Sequence, residues 1–213
     1  MTVKERYAYV LDYFQREMPV VRSELQYADV FQLLVAVMLS AQCTDKRVNM
    51  VTPDLFRRWP DAQSLAQAET SDVQRCISSI SYPNAKAAHL VAMARMVVND
   101  YGGEVPSTTE QLTSLPGVGR KTANVVQAVG FGKPAIAVDT HVYRVSHRLG
   151  LVPPTADTPL KVEQRLQRGI PRELWADAHH WLLLHGRYIC KSRKPACDKC
   201  PFTDVCPSSQ TTR

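Results

Sequence analysis

The stretch Leu115-Pro-Gly-Val-Gly-Arg-Lys-Thr-Ala123 decides the architecture. One helical pattern ends at about Ser114 and another begins just after Gly119. Between them, Gly117 and Gly119 remove side chains where the backbone must turn tightly, and both can take positive φ. A helix N-terminus follows at once, with free N–H groups and the positive end of its dipole, so a phosphate can approach the bare backbone closely. The arrangement reads as a helix–hairpin–helix, which grips DNA by its backbone and is indifferent to base sequence. Gly117, Val118, Gly119, Arg120 and Thr122 are the expected contacts. A Gly-x-Gly pair alone is usually only a turn; Leu-Pro before it and Arg-Lys-Thr-Ala after it favour DNA.

Outward from the hairpin, the chain reads as helical almost throughout. Ala88, Val91, Ala94, Val98 and Tyr101 recur at helical spacing, and Gly102 is placed to stop that helix. Ser107-Thr-Thr-Glu110 has capping-box spacing before Leu112, and Asp29, Thr44, Ser71 and Thr158 are candidate N-caps. The run Leu33–Leu39 is apolar on all sides, as a central helix would be. Ile136-Ala-Val138 is too short to make a strand. The expected fold class is all-α. Breaks at Gly132-Lys-Pro134 and Val152-Pro-Pro-Thr155 divide the chain into a helical unit at 22–132 and a second at 133–213.

A chain of 213 residues can form one compact domain or two small ones. Hydrophobic residues at 45% and charged residues at 22% exclude wholesale disorder. The longest apolar run covers seven residues, against the ~20 of a membrane-spanning helix. Met1-Thr-Val-Lys-Glu-Arg-Tyr7 mixes charges without an apolar core, so it does not read as a secretory signal, and a cytoplasmic protein is expected. Lys and Arg exceed Asp and Glu by 26 − 20 = +6, which suits a polyanionic partner but also many proteins that bind none. Between Arg187 and Cys200 the local balance is 5 − 1 = +4, so Lys191 and Arg193 either contact DNA or belong to a solvated loop.

Lys121 falls in the first turn of the second hairpin helix. The dipole's positive end and the adjacent Arg120 both disfavour its proton, and an amine so placed can act as a nucleophile. A phosphate-binding lysine is the competing reading. Asp139, in Ala137-Val-Asp-Thr-His-Val-Tyr-Arg144, sits where an apolar stretch turns helical. It can cap that helix, and an ionised carboxylate there can also stabilise a developing cation. The two roles are compatible. His141 reads as an interior histidine with its hydrogen bonds satisfied.

Cys190, Cys197, Cys200 and Cys206 fall within 17 residues of one another. Reducing conditions disfavour a disulfide framework, so four close thiols indicate a metal centre. Tetrahedral zinc and an iron–sulfur cluster both remain open; zinc favours two close pairs, and only Cys197 and Cys200 form one. Cys43 and Cys76 stand alone in apolar helical patterns and read as small buried residues.

Taken together, Leu115–Asn124, Val138-Asp-Thr-His-Val142 and the cysteines with six, two and five residues between them resemble the endonuclease III family. Leu39-Ser-Ala-Gln-Cys-Thr-Asp45 is similar to that family's Leu-Ser-x-Gln-x-Thr-Asp segment. The resemblance implies two helical units flanking a DNA cleft. One is a six-helix barrel with the hairpin; the other holds the metal centre and is completed by the N-terminal helix, making it 1–21 plus 133–213. It implies a monomeric, nucleoid-associated bacterial glycosylase with lyase activity on double-stranded DNA carrying oxidised pyrimidines or abasic sites. Lys121 would be the Schiff-base nucleophile and Asp139 its partner across the cleft mouth. The four cysteines would hold one four-iron–four-sulfur (4Fe-4S) cluster. Gln42 would fill the space left by the flipped nucleotide, and Tyr82 would be a wedge. Here the chain departs from the family: Ser81, Tyr82 and Pro83 replace a glycine, an aliphatic and an aromatic residue.

Three rivals remain. An adenine-removing mismatch glycosylase shares the hairpin and cluster but needs a glutamate where this chain has Ala36, and it lacks the lysine. A non-catalytic hairpin protein with a zinc centre would have an unreactive Lys121. A photodimer glycosylase would keep the same mechanism.

Overall fold

The computed structural model describes residues 1–21 and 23–210. No strand occurs among them, and the chain separates into two compact units, Ser23–Lys133 and Met1–Arg22 with Pro134–Arg213. None of the described helices is long and apolar enough to cross a membrane.

The Ser23–Lys133 unit is built around α2 (Val30–Leu39), which has no polar face and is buried from Leu33 to Leu39. Against it pack α3 (Asp45–Arg58), α6 (Pro83–Tyr101) and α8 (Arg120–Val125), while α4 (Ala62–Ala66) and α5 (Thr70–Cys76) pack on α6 and α7 (Thr109–Ser114) on α8. Asp29 and Thr44 cap α2 and α3, accepting from Gln32 N at 2.8 Å and Arg47 N at 3.3 Å. Two expected caps are corrected. Thr108, not Ser107, accepts from Gln111 N at 3.2 Å, because the Ser107 hydroxyl and carbonyl already accept from Lys133 Nζ at 2.7 and 2.8 Å. Ser71 lies inside α5, which begins at Thr70 after an N-cap, Glu69, that makes no side-chain cap bond. Cys43 lies in the turn after α2 rather than in a helix, and both it and Cys76 are only half-buried.

The other unit joins α1 (Val3–Glu17), α9 (Thr140–Arg148), α10 (Pro159–Gly169) and α11 (Trp175–Tyr188), followed by the cysteine loop. Thr158 caps α10, accepting from Lys161 N. Phe14 of α1 stacks on Trp181 of α11 at 5.6 Å between centroids, and the Trp181 indole donates to the Met18 carbonyl at 2.9 Å. Phe202, from the cysteine loop, is fully buried and meets Tyr13, Phe14 and His185 edge-on or tilted at 5.1–5.2 Å. Burying an aromatic side chain contributes roughly 2–3 kcal/mol, so this ring anchors a loop that has little regular structure of its own. Helices α9 and α11 approach closely because Gly186 lacks a side chain; a Cβ there would lie 2.9 Å from His141 Cβ and Val145 Cγ2.

Candidate nucleic-acid interface and thiol centre

In the hairpin, Val118 N donates to the Leu115 carbonyl at 3.1 Å, closing the turn between α7 and α8. Gly117 has φ +77°, and a Cβ there would lie 2.8 Å from His89 Cβ, so both backbone and packing demand glycine. Gly119 differs: its φ is −88°, ordinary extended backbone, and a Cβ would meet nothing within 4 Å. Its contribution is openness, because α8 starts with no side-chain cap. Val118 is 5% exposed, its side chain lies within the core and its N–H is engaged in the turn. Thr122 is half-buried, and Arg120 makes contacts of its own. Lys121 is exposed on the first turn of α8, and its ammonium takes no hydrogen bond or ion pair among the described residues. The helix then widens into a π turn at Val126–Gly130, a feature frequent at functional sites.

On the same unit, Gln42 (φ +55°) and Tyr82 (φ +57°) are the two non-glycine residues of positive φ among those described. Each such residue costs roughly 1–2 kcal/mol, a strain that collects at functional sites. The Tyr82 side chain is 64% exposed. Ser81 does not share the left-handed conformation, so serine in place of glycine imposes no backbone strain; its hydroxyl donates to the Gln42 carbonyl at 2.8 Å. Lys86, only 9% exposed, donates to the Leu39 and Ala41 carbonyls at 2.7 and 2.6 Å, neutralising the negative end of α2. Burial lowers its pKa.

In the other unit, Asp139 Oδ1 accepts from His141 N and Val142 N, both at 2.8 Å, and caps α9. Neither bond uses Oδ2. The approach to Asp139 is fixed because His179 Nδ1 donates to the Ala137 carbonyl at 2.7 Å. His141 is half-buried, with Nδ1 at 3.1 Å from Arg144 Nη2. A guanidinium can only donate, so Nδ1 accepts and the ring proton sits on Nε2.

Cys190, Cys197, Cys200 and Cys206 line a single pocket with Arg148 and His185. Burial pushes the Cys200 and Cys206 thiols up and holds His185 down at about 4, so its imidazole is neutral. Arg144 donates to the Cys190 and Gly186 carbonyls at 3.1 and 2.9 Å. Arg148, one turn on, donates to the Lys191 and Ser192 carbonyls at 2.8 and 2.9 Å and reaches Cys190 Sγ at 3.6 Å. These two arginines pin the backbone of the loop while Lys191 and Arg193 stay exposed. Four soft sulfur donors with no carboxylate suit iron–sulfur or zinc chemistry.

Sequence reasoning passed over the hydroxyl contact of Ser81, and it passed over Lys86 and the Arg144/Arg148 pair. Two of these left a signal. Lys86 interrupts an apolar stripe with Leu90 and Ala94, and the arginines stand four residues apart on one helix face.

A helix–hairpin–helix within an all-helical unit defines a class of DNA-repair protein, and the comparisons agree. The family described as "HhH-GPD superfamily base excision DNA repair protein" matches residues 35–172. Endonuclease III of Bacillus subtilis is 45% identical over 202 residues, covering 95% of this chain and 92% of that protein. Endonuclease III of Synechocystis is 43% identical over 210 residues, covering 98% and 95%. A solved trapped endonuclease III–DNA covalent intermediate superposes with a TM-score of 0.92 at 43% identity, covering 98% of this chain and 97% of that one. The chain belongs to the HhH-GPD superfamily and, within it, to the endonuclease III family of DNA glycosylase/lyase enzymes.

Proposed function

We propose that the chain excises oxidised pyrimidines from double-stranded DNA and then cuts the strand 3′ of the lesion, with Lys121 as nucleophile and Asp139 as its electrostatic and proton-transfer partner. The carrying observation is the amine of Lys121, exposed and without a partner among the described residues, on the first turn of a helix that opens without a side-chain cap. Gly117, Gly119, Arg120 and Thr122 hold the phosphates beside it. Flipping the damaged nucleotide costs a few kcal/mol of unstacking, and less for a pyrimidine that has lost aromaticity. Gln42 and Tyr82 then occupy the gap, Tyr82 stacking its exposed ring on neighbouring bases. The neutral lysine nitrogen bonds to C1′ as the base leaves with the glycosidic electron pair. Asp139 stabilises the positive charge building on the sugar. Loss of the amine proton and ring opening give an iminium at C1′, which acidifies the C2′ proton. Its removal expels the 3′ phosphate, and water finally releases the lysine.

The proposed setting is the bacterial nucleoid. Incision of a duplex carrying one thymine glycol, with the undamaged duplex intact, tests the assignment; a protein that binds both and cuts neither is a passive hairpin module.

Cys190, Cys197, Cys200 and Cys206 would hold the 4Fe-4S cluster, whose bonds to the four thiolates would fold the loop bearing Lys191 and Arg193. Support comes from the four thiols lining one pocket, a soft donor set that suits iron–sulfur chemistry. Purified protein is expected to be yellow-brown with about four irons per chain; a colourless protein with one zinc would reject the cluster.

A further inference from the structure

Ser81 makes a contact that the proposed reaction does not use. Its hydroxyl donates to the Gln42 carbonyl at 2.8 Å across 39 residues of sequence. That bond joins the loops of Gln42 and Tyr82, the two described non-glycine residues held at positive φ. Such conformations persist only where the surroundings over-determine them. On the α2 side, Lys86 Nζ fixes the Leu39 and Ala41 carbonyls, and Cys43 N donates to the Ser40 carbonyl at 3.0 Å. The Gln42 carbonyl falls between these fixed points and takes its hydrogen bond from Ser81. Alanine or glycine at position 81 would leave that carbonyl to water and the two loops without this tie.

We propose that Ser81 is a positioning residue whose hydroxyl fastens the Gln42 loop to the Tyr82 loop, so that both side chains enter the duplex as one preformed unit. The inference rests on the reading that Gln42 and Tyr82 enter DNA. Ser81 acts through the Gln42 main chain and need not touch the substrate. Once the bond is removed, each loop has to be ordered separately on binding, and that cost falls on affinity. It falls only on DNA that the loops penetrate, because the hairpin's grip on phosphate uses neither loop.

Equilibrium binding to a duplex carrying a tetrahydrofuran abasic analogue, beside the undamaged duplex, tests this. Ser81→Ala should weaken the tetrahydrofuran complex about fivefold, the worth of one hydrogen bond, and leave the affinity for undamaged DNA unchanged. In a Gln42→Ala background the same change should cost less than it does alone, because only Tyr82 is left to position. Ser81→Thr should restore most of the affinity. No effect of Ser81→Ala, equal losses on both duplexes, a full loss persisting beside Gln42→Ala, or a Ser81→Thr protein that binds like Ser81→Ala would each overturn the role. If Gln42→Ala and Tyr82→Ala both bind the tetrahydrofuran duplex like the unsubstituted protein, the loops do not enter DNA and the proposal falls with that reading. If those two weaken binding while Ser81→Ala does not, only the coupling is overturned.

Discussion

Lys121→Gln should abolish borohydride trapping on abasic DNA and lower strand cleavage by at least about a thousandfold, since no other group supplies the electron pair that bonds to C1′. Duplex binding should change little. The neighbours that grip phosphate, Gly117, Gly119, Arg120 and Thr122, are untouched, and glutamine is a good helix former at an exposed first-turn position. The same variant separates the rivals. A phosphate-binding lysine would give the opposite pattern, with affinity reduced and chemistry intact once the protein is saturated with DNA. Quantifying trapped complex and single-turnover cleavage at saturating protein distinguishes the two.

Asp139→Asn should lower turnover by roughly a hundredfold to a thousandfold, the scale on which a preorganised charge at a developing cation acts. The substitution is informative because asparagine caps helices as well as aspartate does. Its side-chain oxygen can still accept from His141 N and Val142 N, the two bonds now made at 2.8 Å by Oδ1. Stability should therefore change by less than about 1 kcal/mol, whereas Asp139→Ala should lose about 1 kcal/mol of cap energy as well as turnover. Denaturant melts paired with single-turnover rates read both quantities. An Asn variant with full turnover would leave Asp139 as a cap and nothing more.

The features legible in the sequence are those decided by near neighbours. The run Leu33–Leu39 is hydrophobic all round and could only be interior, and Gly102 ends α6 with φ +62° as its placement suggested. The hairpin was legible because two glycines stand between two helical patterns. Even there the residues read alike while acting differently: Gly117 is required by positive φ and the press of His89, Gly119 by neither. Long-range partners could not be read. The choice of Thr108 over Ser107 as a cap is settled by Lys133, 26 residues from Ser107. Ser81 looked like a loss of backbone freedom, yet its φ is unstrained and its hydroxyl is engaged 39 residues away. Arg144 and Arg148 find their carbonyl partners 42 to 46 residues on, where no periodicity points.

The most direct measurement is mass spectrometry of the peptide left joined to deoxyribose when the unsubstituted enzyme is reduced with borohydride on abasic DNA. A single adduct on the peptide bearing Lys121, at its side-chain nitrogen, is the predicted result. Attachment at the N-terminal amine or another lysine, or cleaved DNA with no adduct at all, would contradict the mechanism.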